Sequence, residues 1–253
     1  MRIAAIQHDI VWEDREANFE HLAPMIAGAA ASGAGLALLS ETFSTGFSMS
    51  ASIGEPEGGP SSQFLVDQGR AHGLWVGGTC PEVPAGGDAE RPYNSFVLAG
   101  PDGTVHRYHK IHPFTYGREH ERFAAGDQFV TVTIEGLRIS LFVCYDLRFA
   151  DEFWQLAPTT DVYLVPANWP AARRLHWQTL LQARAIENQA YVVGCNRVGS
   201  APGLDYAGDS RIVSPVGELL ATAAVTESVL LADVDADVVA EVRDTFRFMP
   251  DRR

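Results

Sequence analysis

At 253 residues the chain is one large domain or two small ones, on a usual size of about 150 residues each. Its 19 Lys and Arg stand against 32 Asp and Glu, and the resulting net charge of −13 opposes attraction to nucleic-acid phosphates or anionic lipid. With 46% hydrophobic and 20% charged residues, the composition is that of a folded globular protein, not of a disordered or low-complexity one.

The amino terminus, Met1-Arg2-Ile3-Ala4-Ala5-Ile6-Gln7, begins a short buried strand and turns polar too soon for a secretion signal, so cytoplasmic residence is expected. No apolar run approaches the roughly 18 to 20 residues of a membrane-spanning helix. A helix over Ala17 to Ala31, an apolar run Leu36–Glu41 and a helix over Ser61 to His72 follow. Strands are expected near Leu74–Cys80, Asn94–Ala99 and Thr104–Lys110. The same β-α-β-α-β-β-β order then recurs. It runs through strand Ile139–Cys144, helix Ala150–Leu156, strand Val162–Ala167, helix Arg173–Gln189, strand Tyr191–Asn196, and strands Arg211–Ser214 and Leu219–Ala224. A last strand at Val229–Val234 precedes a polar tail over residues 235–253, expected to cross to a partner subunit. Continuous apolar strands are buried on both faces, which calls for layers of helix outside sheet, an arrangement in which two such halves could face each other sheet to sheet. No linker separates them, and residues 1–253 are read as one domain.

Three cysteines, Cys80, Cys144 and Cys195, with no CxxC spacing, make neither a disulfide framework nor a four-thiolate zinc site. Each ends an apolar run. An acyl-transfer nucleophile commonly uses the N–H of the residue that follows it, which Pro81 denies to Cys80. Cys144 meets an abrupt polar turn, Tyr145-Asp146-Leu147-Arg148, of the kind that lifts a side chain to a sheet's edge. Cys195, before Asn196-Arg197, stays open. Glu41, directly after Leu38-Leu39-Ser40, either caps the next turn or is held out of water for general-base work. In His106-Arg107-Tyr108-His109-Lys110-Ile111-His112, strand alternation sends His109 away from His106 and His112, which leaves too few ligands for zinc. The common dinucleotide, nucleotide, serine-esterase and zinc-protease motifs are absent.

Three stretches then align in order: Leu39-Ser40-Glu41-Thr42-Phe43, His109-Lys110-Ile111-His112, and Phe142-Val143-Cys144-Tyr145-Asp146-Leu147-Arg148-Phe149. In them the chain resembles the nitrilase superfamily of carbon–nitrogen hydrolases along nearly its whole length. Thr45-Gly46-Phe47-Ser48-Met49, Ala167-Asn168-Trp169-Pro170, the segment His176-Trp177 to Val192, and Gly208-Asp209-Ser210 are similar to its ω-amidase branch. The chain departs from the pattern at Ser40 and Ala150, where proline is usual, and in the variable loop Gly203-Leu204-Asp205-Tyr206.

The resemblance implies an α/β fold, a four-layer α-β-β-α sandwich, in a homodimer or larger assembly, with no metal or organic cofactor. It further implies Cys144 as nucleophile and Glu41 as general base. Lys110 and the Tyr145 N–H would form the oxyanion site, and Glu119 would be a second glutamate, with Glu121 close by. The implied reaction is hydrolysis of a terminal carboxamide through a thioester, on 2-oxoglutaramate or 2-oxosuccinamate. N-carbamoyl-amino-acid or nitrile hydrolysis is the alternative, and a catalytically silent binding module the reading from another class. An anionic substrate needs a cation, for which Arg173 and Arg174 are candidates. Phe43, Tyr145 and Trp169 are expected to wall the pocket.

Overall fold

Valine, isoleucine, leucine and alanine runs with no polar alternation make strands that must be covered on both sides, and the computed structural model, which describes residues 1–84 and 91–252, covers them. The first half contains β1 (Arg2–Gln7), α1 (Arg15–Ala31), β2 (Leu36–Leu38), β3 (Glu55–Pro56), α2 (Pro60–His72), β4 (Trp75–Val83), β5 (Tyr93–Ala99) and β6 (Val105–His109). The second contains β7 (Thr131–Ile134), β8 (Leu137–Leu141), α3 (Ala150–Leu156), β9 (Val162–Ala167), α4 (Arg174–Asn188), β10 (Tyr191–Asn196), β11 (Val198–Ala201), β12 (Leu204–Ala207), β13 (Arg211–Val213) and β14 (Leu219–Thr222). β15 (Ser228–Asp233) and α5 (Ala236–Thr245) complete the chain.

The first sheet runs β15-β1-β2-β4-β5-β6, with β3 beside β4, and the second runs β14-β13-β10-β9-β8-β7. Each is built on three parallel strands, β1-β2-β4 and β8-β9-β10, with antiparallel strands on both flanks. The two are therefore the same pattern used twice. Side chains of β1 alternate between two cores: Ile3 and Ala5 join the core shared with the second sheet, while Ala4 and Ile6 pack under α1 and α2. On the opposite outer face Trp177, Leu181 and Ala185 of α4 and Phe153 of α3 cover the second sheet. Gly194 of β10 lets α4 approach, since a Cβ there would lie 2.5 Å from Leu181. The result is the four-layer α-β-β-α sandwich expected from the sequence.

Several elements differ from expectation. α1 begins two residues early because the Asp14 side chain caps the Ala17 N–H at 3.1 Å. β7 and the β11–β12 hairpin, whose short polar strands carry little apolar signal, were not expected. The stretch from Asp235 is a helix, not a polar extension. Asp235 caps it, Val239 is buried, and Arg243 donates to the Thr160 and Asn188 carbonyls at 2.7 and 3.1 Å. It docks on its own chain; Arg253 lies outside the described residues. Among the described residues no helix is long and apolar enough to cross a membrane.

Candidate active site

In parallel sheets the carboxyl ends of the strands are where loops diverge and leave a crevice. Glu41 follows β2, Cys144 follows β8 and Asn168 follows β9, so both sheets aim their loops at one place. Cys144 itself has φ +45°, the left-handed region that an ordinary side chain rarely adopts, and it stands at a sharp strand-to-turn corner. Lys110 lies just beyond β6, its N–H still bonded to the Asn94 carbonyl at 3.0 Å.

These side chains converge. Lys110 Nζ donates to Glu41 Oε1 at 2.8 Å and to Glu119 at 2.9 and 3.1 Å, all three groups being essentially sealed from water. Asn94 Nδ2 bridges the same two carboxylates at 2.9 and 3.0 Å, and the Phe114 N–H donates to Glu119 at 2.5 Å. Glu121, the neighbouring candidate, faces outward and pairs with Arg118. The Cys144 thiol faces Glu41, Lys110 and the Asn168 N–H.

Charge explains the protonation pattern. Burial alone would lower the Lys110 ammonium, but the Glu119 and Glu41 carboxylates outweigh it and hold the pKa above its ordinary value. Burial, helped by the Glu41 charge, pushes the Cys144 thiol well up despite Lys110, so the resting sulfur carries its proton. Glu119 is likewise raised by burial, then by Glu41, against the pull of Lys110.

Above these groups opens a cavity of about 240 Å³. Tyr145, Trp169 and Arg173 line it, while Phe43 does not. Phe43 is fully buried against Phe19 and Phe64 under the outer helices, and Phe47, four residues on, takes the place on the wall, 5.4 Å from Lys110 Nζ. Arg174 also points elsewhere, forking onto Asp209 at 2.8 and 2.9 Å. Arg173 lies over the Phe114 and Tyr116 rings. Sequence reasoning missed Arg148, whose guanidinium sits over Trp169 at 4.6 Å and lines the same cavity. Its position four residues after Cys144, on the same turn, was the available signal. Tyr206 and Leu204 reach in from the β11–β12 hairpin.

The other cysteines stay away. Cys80 is buried under the outer helices, and the Cys195 thiol donates to the Ile6 carbonyl at 3.2 Å between the sheets. The three histidines of this stretch part company: alternation turns His109 away from His106, and His112 lies beyond the end of β6. His106 stacks on Trp75, His109 on Tyr93, and His112 bonds Asp146 and Glu152.

Comparison with known proteins agrees with this architecture. The family model described as carbon-nitrogen hydrolase matches residues 2–244. The chain is 38% identical over 249 residues to the omega-amidase YafV of Escherichia coli, covering 97% of this chain and 94% of that protein. It is 32% identical over 222 residues to the 2-oxoglutaramate amidase of Bacillus subtilis, covering 85% and 84%. Among solved structures, a CN-hydrolase superfamily protein from Xanthomonas campestris with an arsenic adduct in its active site superposes with a TM-score of 0.92 at 34% identity, over 100% of this chain and 97% of that one. An amidase from Nesterenkonia, carrying acrylamide added at its active-site cysteine, superposes at 0.83 with 26% identity, over 98% of each chain. The doubled sheets, the shared cavity and these relatives together show that the chain belongs to the carbon-nitrogen hydrolase family, the nitrilase superfamily of hydrolytic enzymes.

Proposed function

We propose that this protein is a cysteine-dependent ω-amidase that splits the terminal carboxamide of a short 2-oxo dicarboxylic acid monoamide, 2-oxoglutaramate or 2-oxosuccinamate, into carboxylate and ammonia. The observation that carries this reading is the junction of one thiol, one ammonium and one carboxylate at the floor of a single cavity, with a second carboxylate buried behind the ammonium. Nothing in packing asks for that combination, and burying it is costly.

The thiol is protonated at rest, so attack needs a base at the moment of reaction. Glu41 fills that role. It takes the Cys144 proton as Sγ bonds the carbonyl carbon, and Lys110 and the Tyr145 N–H stabilise the oxyanion that forms. Collapse expels the amine, to which Glu41 returns the proton, releasing ammonia and leaving the thioester. Water then attacks the thioester, giving its proton to Glu41. The C–S bond breaks, the carboxylic acid leaves and the proton returns to sulfur. Glu119, held against Lys110, keeps the ammonium in place.

The substrate class rests on charge. In a protein of net charge −13, Arg148 and Arg173 both line the cavity, and among the described residues neither forms an ion pair with a carboxylate. Burial, and then the nearness of Arg173, lower the pKa of Arg148. A substrate carboxylate supplies the missing partner. The names of the bacterial relatives support the same class.

The test is ammonia release from a panel of 2-oxoglutaramate, 2-oxosuccinamate, N-carbamoyl amino acids and nitriles, with acid-quenched mass spectrometry of the peptide containing Cys144. Preference for the 2-oxo amides and an acyl adduct on that peptide are expected. Activity confined to nitriles or ureido acids overturns the reading.

A further inference from the structure

The lysine and the cysteine belong to different sheets, and something must fix the distance between them. Asp146 is fully buried two residues after Cys144 and accepts four hydrogen bonds. Oδ2 receives the Tyr108 hydroxyl at 2.8 Å and the Val143 N–H at 2.9 Å; Oδ1 receives the His112 N–H at 3.0 Å and its Nδ1 at 3.1 Å. Tyr108 and His112 bracket Lys110 on either side, and Val143 directly precedes Cys144. The Tyr108 hydroxyl also accepts the Ile111 N–H at 3.3 Å, closing the bracket around the lysine.

We infer that Asp146 is a positioning residue for the proposed reaction, a clamp that sets the Lys110-to-Cys144 spacing by holding the Tyr108 hydroxyl before the lysine, the His112 N–H after it and the Val143 N–H before the cysteine on one carboxylate. The inference rests on the reading of Cys144 as nucleophile and Lys110 as oxyanion partner.

The clamp is braced from outside. His112 Nε2 lies 3.2 Å from Glu152 of α3, its ring stacks on Phe149 at 3.6 Å, and Arg184 of α4 donates twice to the Leu147 carbonyl at 2.8 and 3.1 Å. Both flanks of the strained corner at Cys144 are thus fixed, and such a conformation persists only when its surroundings over-determine it. His112, Asp146 and Glu152 have the spacing of a cation site. Both Asp146 oxygens, however, already meet two donors each, which makes the carboxylate a hydrogen-bond hub. Asparagine could not replace it, because its NH2 would face two N–H donors on one side or the Val143 N–H on the other.

Displacing a reacting group by about 1 Å costs roughly 100-fold in rate, while the cavity that binds substrate is unchanged. Three variants are assayed on 2-oxoglutaramate beside wild type: Tyr108→Phe, which removes the hydroxyl's bond to Asp146 and its bond from the Ile111 N–H, Asp146→Asn, which mispairs at least one of the four donors, and Cys144→Ala. Expected are kcat losses of about 10-fold for Tyr108→Phe and about 100-fold for Asp146→Asn, with KM within about twofold, in proteins with native circular dichroism and cooperative melting. If Asp146→Asn does not fold, Tyr108→Phe alone decides. A kcat within twofold of wild type in folded Tyr108→Phe, or a loss carried by KM, overturns the clamp. Full activity in Cys144→Ala would instead overturn the function on which it rests.

Discussion

Asn168 holds Glu41 from two directions: its N–H donates to Glu41 Oε2 at 2.8 Å and its Nδ2 to the Glu41 carbonyl at 2.6 Å. One residue at the end of a strand in the second sheet thereby fixes both the carboxylate and the backbone of a residue at the end of a strand in the first. Truncating the side chain, Asn168→Ala, keeps the N–H bond and frees the backbone. A kcat about 10-fold lower with KM little changed is expected in steady-state ammonia release.

Cys144→Ser retains size and hydrogen bonding but lacks the nucleophilicity of sulfur. Ammonia release should fall by at least about 1,000-fold, with thermal melting unchanged within a few degrees and no adduct in quenched mass spectrometry. Wild-type turnover in this variant would remove the thioester mechanism.

Lys110→Met would leave the buried Glu41 and Glu119 carboxylates facing each other without their cation. Breaking a buried ion pair from one side typically costs about 3 to 5 kcal/mol, which urea unfolding would read as a lowered midpoint. Adding Glu119→Gln should recover part of that loss without restoring activity. A double variant no more stable than the single one would contradict the shared-cation arrangement.

Arg173→Met should raise KM for 2-oxoglutaramate by about 10- to 100-fold, the worth of a charge-assisted bond of roughly 1.5 to 3 kcal/mol. It should leave a neutral amide such as propionamide untouched. Equal losses on both substrates would assign Arg173 to packing over Phe114 and Tyr116.

His8 is fully buried, and burial pulls its imidazole down to about 4. Between pH 6.5 and 4 the unfolded chain binds a proton that the folded chain refuses, so stability present above that window is lost as pH falls through it, by roughly 3 kcal/mol in all. His8→Gln should flatten the fall in melting temperature between pH 7 and pH 4.5. An unchanged slope would place the acid sensitivity elsewhere.

Much of this was legible in the residues. The doubled strand-helix order follows from uninterrupted apolar runs such as Val162–Ala167, which need cover on both faces. The abrupt turn after Val143 marked the corner at Cys144, and alternation in the β6 stretch separated His109 from His106. What stayed hidden depends on which way a side chain leaves a turn. Phe43 and Phe47 are the same residue type four positions apart in an irregular segment, where no period says which faces the cavity and which the helices. Arg173 and Arg174 divide in the same way, one over aromatic rings and the other on Asp209, a partner 35 positions away. The hairpin of β11 and β12 lies outside both sheets, with short, partly exposed strands that carry no burial signal.

One strand also has a consequence for dissection of the enzyme. β15 comes from the end of the chain yet runs beside β1, with Leu231 opposite Ala4, as the edge of the first sheet. A cut in the connection between β6 and β7 would give two fragments, of which the later carries a missing piece of the earlier. Glu41 and Lys110 would sit on one fragment and Cys144 and Asn168 on the other. On the proposed mechanism neither would turn over substrate alone, and activity regained on mixing would report reassembly driven by strand donation.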